Sequence, residues 1–121
     1  MTVRDQISIY LEGWRLGKPL RSLEVCTPGF YYDDPNTGRI SRENFQAFVE
    51  AFKAYGASLN AGVVPEPFLE YTDIIIDDAG SAATVWCWWR VCDTDFQGSA
   101  LVKAHETGIL SERIAYFSKL P

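Results

Sequence analysis

The hydrophobic period changes once along this chain, and that change constrains the fold more than any motif does. Up to about residue 56, apolar residues recur at helical spacing: Ile7, Tyr10, Leu11 and Trp14, then Phe45, Phe48, Val49 and Phe52. Beyond residue 67 the period falls to two, and four alternating segments follow at about 68–78, 82–92, 96–106 and 109–118. Helices first and consecutive strands afterwards predict an α+β domain. Three N-terminal helices pack in the concave face of a strongly curved, mainly antiparallel sheet.

Local signals divide these segments. Thr2-Val3-Arg4-Asp5 has capping-box form and starts the first helix; Gly17 ends it and Pro19 opens a second. The second helix is short, with Leu20 and Leu23 inward, and stops at Thr27-Pro28-Gly29. Phe30 to Asp33 reads as a brief strand. Ser41 caps the third helix and Gly56 closes it. Residues 57–67 form a loop with two prolines, placed as a lid or rim. Asp78-Ala79-Gly80, Asp93-Thr94-Asp95 and Thr107-Gly108 mark the turns between strands.

With 121 residues, nearly half of them apolar, the chain reads as one domain over 1–121. The net charge of −5 opposes binding to nucleic acid or an anionic membrane, since both require clustered Lys and Arg. No apolar run is long enough to span a bilayer, and the N-terminus reads as a capped helix rather than a signal peptide. Cys26, Cys87 and Cys92 are an odd number without metal spacing, which points to reduced thiols in the cytoplasm. One histidine, His105, and no cysteine pair leave no expected metal site. No nucleotide or nucleophile-elbow fingerprint appears, so no cofactor is expected.

If Thr107-Gly108 is a two-residue turn, Lys103 lies opposite Glu112 on a solvated face, with His105 and Tyr116. Ala100, Val102 and Ala104 then share the inner face with Ser111, Arg113, Ala115 and Phe117. An arginine on the inner face of a sheet needs a partner. Arg113 would reach the rim, pair with Asp34 or Glu106, or act as an electrophile toward an anionic group.

Tyr31-Tyr32-Asp33-Asp34-Pro35 ends the first strand on a carboxylate, and Tyr10 lies on the apolar face of the first helix. A phenol and a carboxylate over one pocket can move a proton beside a carbonyl. Asp34 is equally suited to an Asx turn that accepts backbone hydrogen bonds.

The order of elements, with Tyr10 through Trp14, the Tyr32-Asp33-Asp34-Pro35 strand end, the Ser41–Tyr55 helix and the closing hairpin at 107–112, resembles the nuclear transport factor 2-like (NTF2-like) superfamily. That cone-shaped, cystatin-like fold is shared by ketosteroid isomerases and SnoaL-like polyketide cyclases. The resemblance covers nearly the whole chain. It implies that Asp34 matches the proton-shuttling aspartate and Tyr10 the oxyanion-donating tyrosine of ketosteroid isomerase, an enzyme in which a protonated aspartate completes the oxyanion hole. The position of that second acid falls near Ala100 or Val102, and the last-strand aspartate of the cyclases aligns with Ala115. The resemblance also places Thr84, Trp86, Trp88 and Arg90 on the concave face.

Two functions follow as expectations. The first is a cofactor-independent isomerase, cyclase or dehydratase acting on an apolar cyclic carbonyl compound. Asp34 is its base, Tyr10 its oxyanion donor and Arg113 a second donor, with Trp14, Tyr32, Trp86, Trp88, Val102, Ala115 and Phe117 around the substrate. The second is a non-catalytic small-molecule-binding or dimeric scaffold of the same fold. In either, Val85, Cys87, Trp89 and Val91 would form an uncovered convex face that a homodimer buries. If the faces are reversed, Trp89 enters the cavity and the dimer surface moves to Trp86 and Trp88.

Overall fold

The computed structural model describes residues 1–117. Helix α1 (Val3–Leu16) and short α2 (Pro19–Leu23) precede strands β1 (Cys26–Asp34) and β2 (Gly38–Ser41). A 3-10 turn at Arg42–Asn44 leads into α3 (Phe45–Ser58). Strands β3 (Leu69–Asp78), β4 (Ala82–Val91), β5 (Gln97–His105) and β6 (Gly108–Tyr116) follow. They form one six-stranded sheet in the order β2-β1-β6-β5-β4-β3, antiparallel except for the β1–β6 pair. No helix among the described residues is long and apolar enough to cross a membrane.

The capping box at Thr2 forms in both directions: Asp5 N–H donates to the threonine hydroxyl, and Thr2 N–H donates to the Asp5 carboxylate. Gly17, at φ 67°, terminates α1 in the left-handed conformation. Gly13 sets how closely α2 approaches, because a Cβ there would lie 2.0 Å from Ser22 Oγ. That hydroxyl instead donates to the Tyr10 carbonyl at 2.7 Å. Leu20, expected inward, is 61% exposed, whereas Leu23 packs against the core.

The four C-terminal strands lie within about two residues of their sequence-based limits. The N-terminal half differs more. Strand β1 begins at Cys26, because Pro28 and Gly29 sit where the β1–β6 register is broken between Cys26 and Tyr31. A proline at such a break removes no ladder bond. Ser41 ends β2 and makes no capping bond, and α3 runs through Gly56 to Ser58.

The sheet's inner face is the reverse of the expected one. Val85, Cys87, Trp89 and Val91 are buried, while Trp86 and Trp88 point outward. Packing volume explains this. Tyr10 and Trp14 from α1, Phe45 and Phe52 from α3, and Phe30 and Tyr32 from β1 already fill the cone. Ala100, Val102, Ala104, Val85 and Cys87 are small enough to face them.

Strand β6 also departs from its expected register. The tip pairs His105 with Gly108 and Ala104 with Ile109, and a bulge then pairs Lys103 with Ser111 and Val102 with Glu112. One extra residue turns every later side chain over. Glu112, Ile114 and Tyr116 therefore face inward, and Arg113 and Ala115 face outward. The Lys103–Glu112 surface pair does not form, and Tyr116 leaves the outer face.

Trp89 packs across Gly98 on the neighbouring strand. A Cβ at Gly98 would stand 1.9 Å from the Ala115 carbonyl oxygen and 2.7 Å from the Trp89 ring. Gly98→Ala should lower unfolding free energy by about 1–3 kcal/mol, a typical overpacking cost. Urea denaturation measures it, and an unchanged midpoint would contradict this packing.

Candidate functional site

Two carboxyl–phenol pairs lie on the inner face of β6, one closed off inside the cone and one at its open end. At the closed end, the Tyr10 hydroxyl donates a short hydrogen bond to Glu112, and the Trp14 indole N–H reaches the Tyr10 oxygen at 3.4 Å. Glu112 is 3% exposed and Tyr10 fully buried. Burial pushes the Glu112 carboxyl up to about 7, against the hydrogen bonds from Tyr10 and Trp14 that favour its ionised form. Burial and this carboxylate hold Tyr10, Tyr32 and Tyr71 well above ordinary phenols. The space among Glu112, Trp14, Tyr32, Phe52, Tyr71 and Trp89 measures about 10 Å³, roughly one water molecule.

At the open end, Asp34 closes β1 on the inward side and is 4% exposed. One carboxylate oxygen accepts the backbone N–H of Asn36 at 2.7 Å and of Thr37 at 3.0 Å, an Asx turn. The other accepts a short hydrogen bond from the Tyr116 hydroxyl. Burial first, and then the bond to Asp34 and its charge, raise Tyr116 above the usual phenol range, so it stays a donor. Both groups line a cleft of about 650 Å³ walled by Phe48, Phe52, Tyr55, Phe96 and Phe117. Phe96 stacks between Phe52 and Tyr116, with ring centroids at 5.2 and 5.5 Å. Among the described residues, Asp34 is the one charged residue lining it.

Tyr10 and Asp34 are not brought together. Their partners, Glu112 and Tyr116, are four residues apart on β6, roughly 13 Å at about 3.3 Å per residue. Buried Ile114 lies between them. Trp14 and Tyr32 border the small interior space, and Val102 is buried opposite Glu112. The placements of Arg113, Ala115, Trp86 and Trp88 inside the cone are corrected: all four lie on the outer face. Arg113 faces the solvent near Asp33, whose carboxylate is held low mainly by its bond to Arg39. Phe117 is 47% exposed; it edges the cleft and also packs on outward Trp88 at 5.8 Å.

Sequence reasoning missed Glu112 and Tyr116 because an unbulged hairpin turns both outward. The glycine at 108, where a Cβ would meet the Val25 carbonyl at 2.6 Å, was the one available hint of an irregular tip. Among the described residues, no three His, Cys, Asp or Glu side chains gather as a metal site would require.

The buried acid has a thermodynamic signature. Its folded-state value of about 7 lies above the 4.5 of a free glutamate. Its contribution is therefore fully present below about pH 4.5 and is lost as pH rises through about 7. The thiols facing it, Cys26 and Cys87, are raised to about 12 and stay protonated throughout. Chemical denaturation of the wild type and Glu112→Gln at pH 5 and pH 8 should differ in slope. The wild type should lose on the order of 3 kcal/mol more than the variant. Parallel pH profiles would contradict a buried, titrating Glu112.

No family model matches the chain, and no curated protein matches it either. Solved structures do. An NTF2-like protein of Cytophaga hutchinsonii superposes with a TM-score of 0.69 at 10% identity, covering 95% of each chain. A protein of Parabacteroides distasonis, provisionally named a ketosteroid isomerase, gives a TM-score of 0.66 at 14% identity over 95% of this chain and 87% of its own. A protein of unknown function with a cystatin-like fold from Nostoc punctiforme gives 0.68 at 9% identity over 99% and 92%. At such identities the likeness speaks for architecture alone, and this chain has the cone-shaped fold of the NTF2-like proteins.

Proposed function

We propose that this chain binds a small, mostly apolar molecule in the cleft at the open end of the cone, with a polar group of the ligand seated at Asp34 and Tyr116. The observation that carries this is a buried carboxylate bonded by a half-buried phenol in a wall where six of the ten described lining residues are aromatic. Such a volume and such a ratio of apolar wall to convergent polar groups suit a ligand site. The cone interior, with about 10 Å³ to spare, has no room for the ligand.

A second reading is an isomerase, cyclase or dehydratase acting on an apolar cyclic carbonyl compound. The position of Asp34, at a strand end and facing the cleft, favours it. Asp34 would be the base, and Tyr116 would take the donor role assigned to Tyr10 by resemblance. The three hydrogen bonds already made to Asp34 speak for the binding reading. Naphthalenemethanol, followed by quenching of intrinsic tryptophan fluorescence, distinguishes the two. Asp34→Asn and Tyr116→Phe should each weaken its binding about tenfold, the worth of one hydrogen bond to a charged group. Binding that ignores both substitutions would sink the proposal. Conversion of a β,γ-unsaturated cyclic ketone to its conjugated isomer by the wild type, lost in Asp34→Asn, would instead select the enzyme.

We also propose a homodimer through the outer face of the sheet. Ile75 is 61% exposed there and Trp86 37%, beside Trp88 and Leu101. Asp77 flanks this apolar strip on β3, and Lys103 and Arg113 flank it on β5 and β6. A two-fold axis parallel to the strands would set the acidic flank of one copy against the basic flank of the other, which favours a second copy as the occupant. The free thiols at Cys26, Cys87 and Cys92 suit a reducing compartment such as the cytoplasm. Light scattering at tens of micromolar should give a dimer mass for the wild type and a monomer mass for Trp86→Glu. A monomeric wild type would rule the dimer out.

A further inference from the structure

Asp34 presents an electrostatic problem that its hydrogen bonds leave open. It is a carboxylate at 4% exposure, and among the described residues it makes no ion pair within 4 Å. Two arginines, Arg39 and Arg113, border the same strand end, and both lie on the outer side of the β1–β6 pair. Arg39 holds Asp33 through two bonds of 2.8 and 3.1 Å and stacks over the Tyr31 ring at 3.8 Å, so its charge is engaged. Arg113 faces outward from β6.

A carboxylate offers about four acceptor positions. Asn36, Thr37 and Tyr116 occupy three of them, two on one oxygen and one on the other. The position left over is on the oxygen that Tyr116 bonds, beside the cleft. The aromatic rings there present electron-rich faces, which attract cations in the same region of space. A carboxylate with no ion pair and one free acceptor position, beside stacked rings and with no basic residue lining the cleft among the described residues, is poor at holding an anion. It suits a cation well.

From this we infer that the cleft selects a protonated amine carried on an apolar, aromatic-sized body. The ammonium donates to Asp34 and lies against Tyr55, which is 54% exposed at the cleft, while the body covers Phe48 and Phe52. This rests on the cleft being the ligand site and adds the charge of the ligand. The selection is electrostatic, so it separates two molecules of the same shape. Ion pairing in a partly desolvated cleft, added to a cation–π contact, supports at least about a tenfold preference for the cation.

Naphthylmethylamine and naphthalenemethanol have the same ring system and differ at the polar end. Each is titrated into the full chain at pH 7, at low salt and again at 0.5 M KCl. The amine should bind at least about tenfold more tightly at low salt, and high salt should shrink that ratio while leaving the alcohol unchanged. Asp34→Asn, checked for folding by its thermal transition, should bring the two ligands to equal affinity. If the variant does not fold, the wild-type ratio and its salt dependence decide the matter alone. Equal binding of amine and alcohol to the wild type would overturn the amine inference and leave the cleft as the ligand site. If neither binds, the cleft reading falls and the amine inference with it.

Discussion

The bulge between Ile109 and Ser111 carries Glu112 to the inner face of the sheet, and the interior of the cone is arranged around the result. A carboxyl at 3% exposure can be tolerated there in two ways: it is held neutral, or it is given strong donors. Both are in place. Burial favours the protonated form, and the hydroxyl of Tyr10 with the indole of Trp14 directly behind it supplies donors. Helix α1 is thereby tied to β6 by a polar contact as well as by packing, and this tie orients the aromatic rings that fill the cone. Those rings in turn decide which face of β4 can be turned inward.

The same inner row of β6 continues to Tyr116, and the chemistry changes along it. Around Glu112 the space is small and lined by phenols that remain neutral. Two positions beyond Ile114, the row reaches the open end, where Tyr116 meets Asp34. The resemblance to ketosteroid isomerase suggested one site built from Tyr10 and Asp34. The structure divides those residues between two carboxyl–phenol pairs, and only the outer pair adjoins a space large enough for a ligand. The carboxyl buried among the rings of the cone is Glu112, directly across from Val102.

Some of this was legible because it is local. The capping box at Thr2, the glycine stop at 17 and the alternating runs in β3 to β6 each depend on a few neighbouring residues. Their positions agree with the sequence to within a residue or two. Asp34 was readable as an Asx-turn acceptor, and it is one; its carboxylate also borders the cleft at the open end. Strand β2 was not legible, since four residues ending in a serine before a helix look like a cap. The faces of β4 were not legible either. Val85, Cys87, Trp89 and Val91 are apolar, but Trp86 and Trp88 are too, so alternation carries no sign.

The sequence by itself determined the period along each segment, both ends of α1 and the presence of a carboxylate before Pro35, because each of these is set within a few residues. Tertiary structure alone decided which face of each strand points inward. That choice depends on how much volume the helices bring to the cone, and on a single bulge whose one extra residue inverts everything after it. The inversion moved Arg113 and Ala115 out and brought Glu112 and Tyr116 in. The polar groups available to a ligand changed accordingly, from Asp34 with Tyr10 and Arg113 to Asp34 with Tyr116.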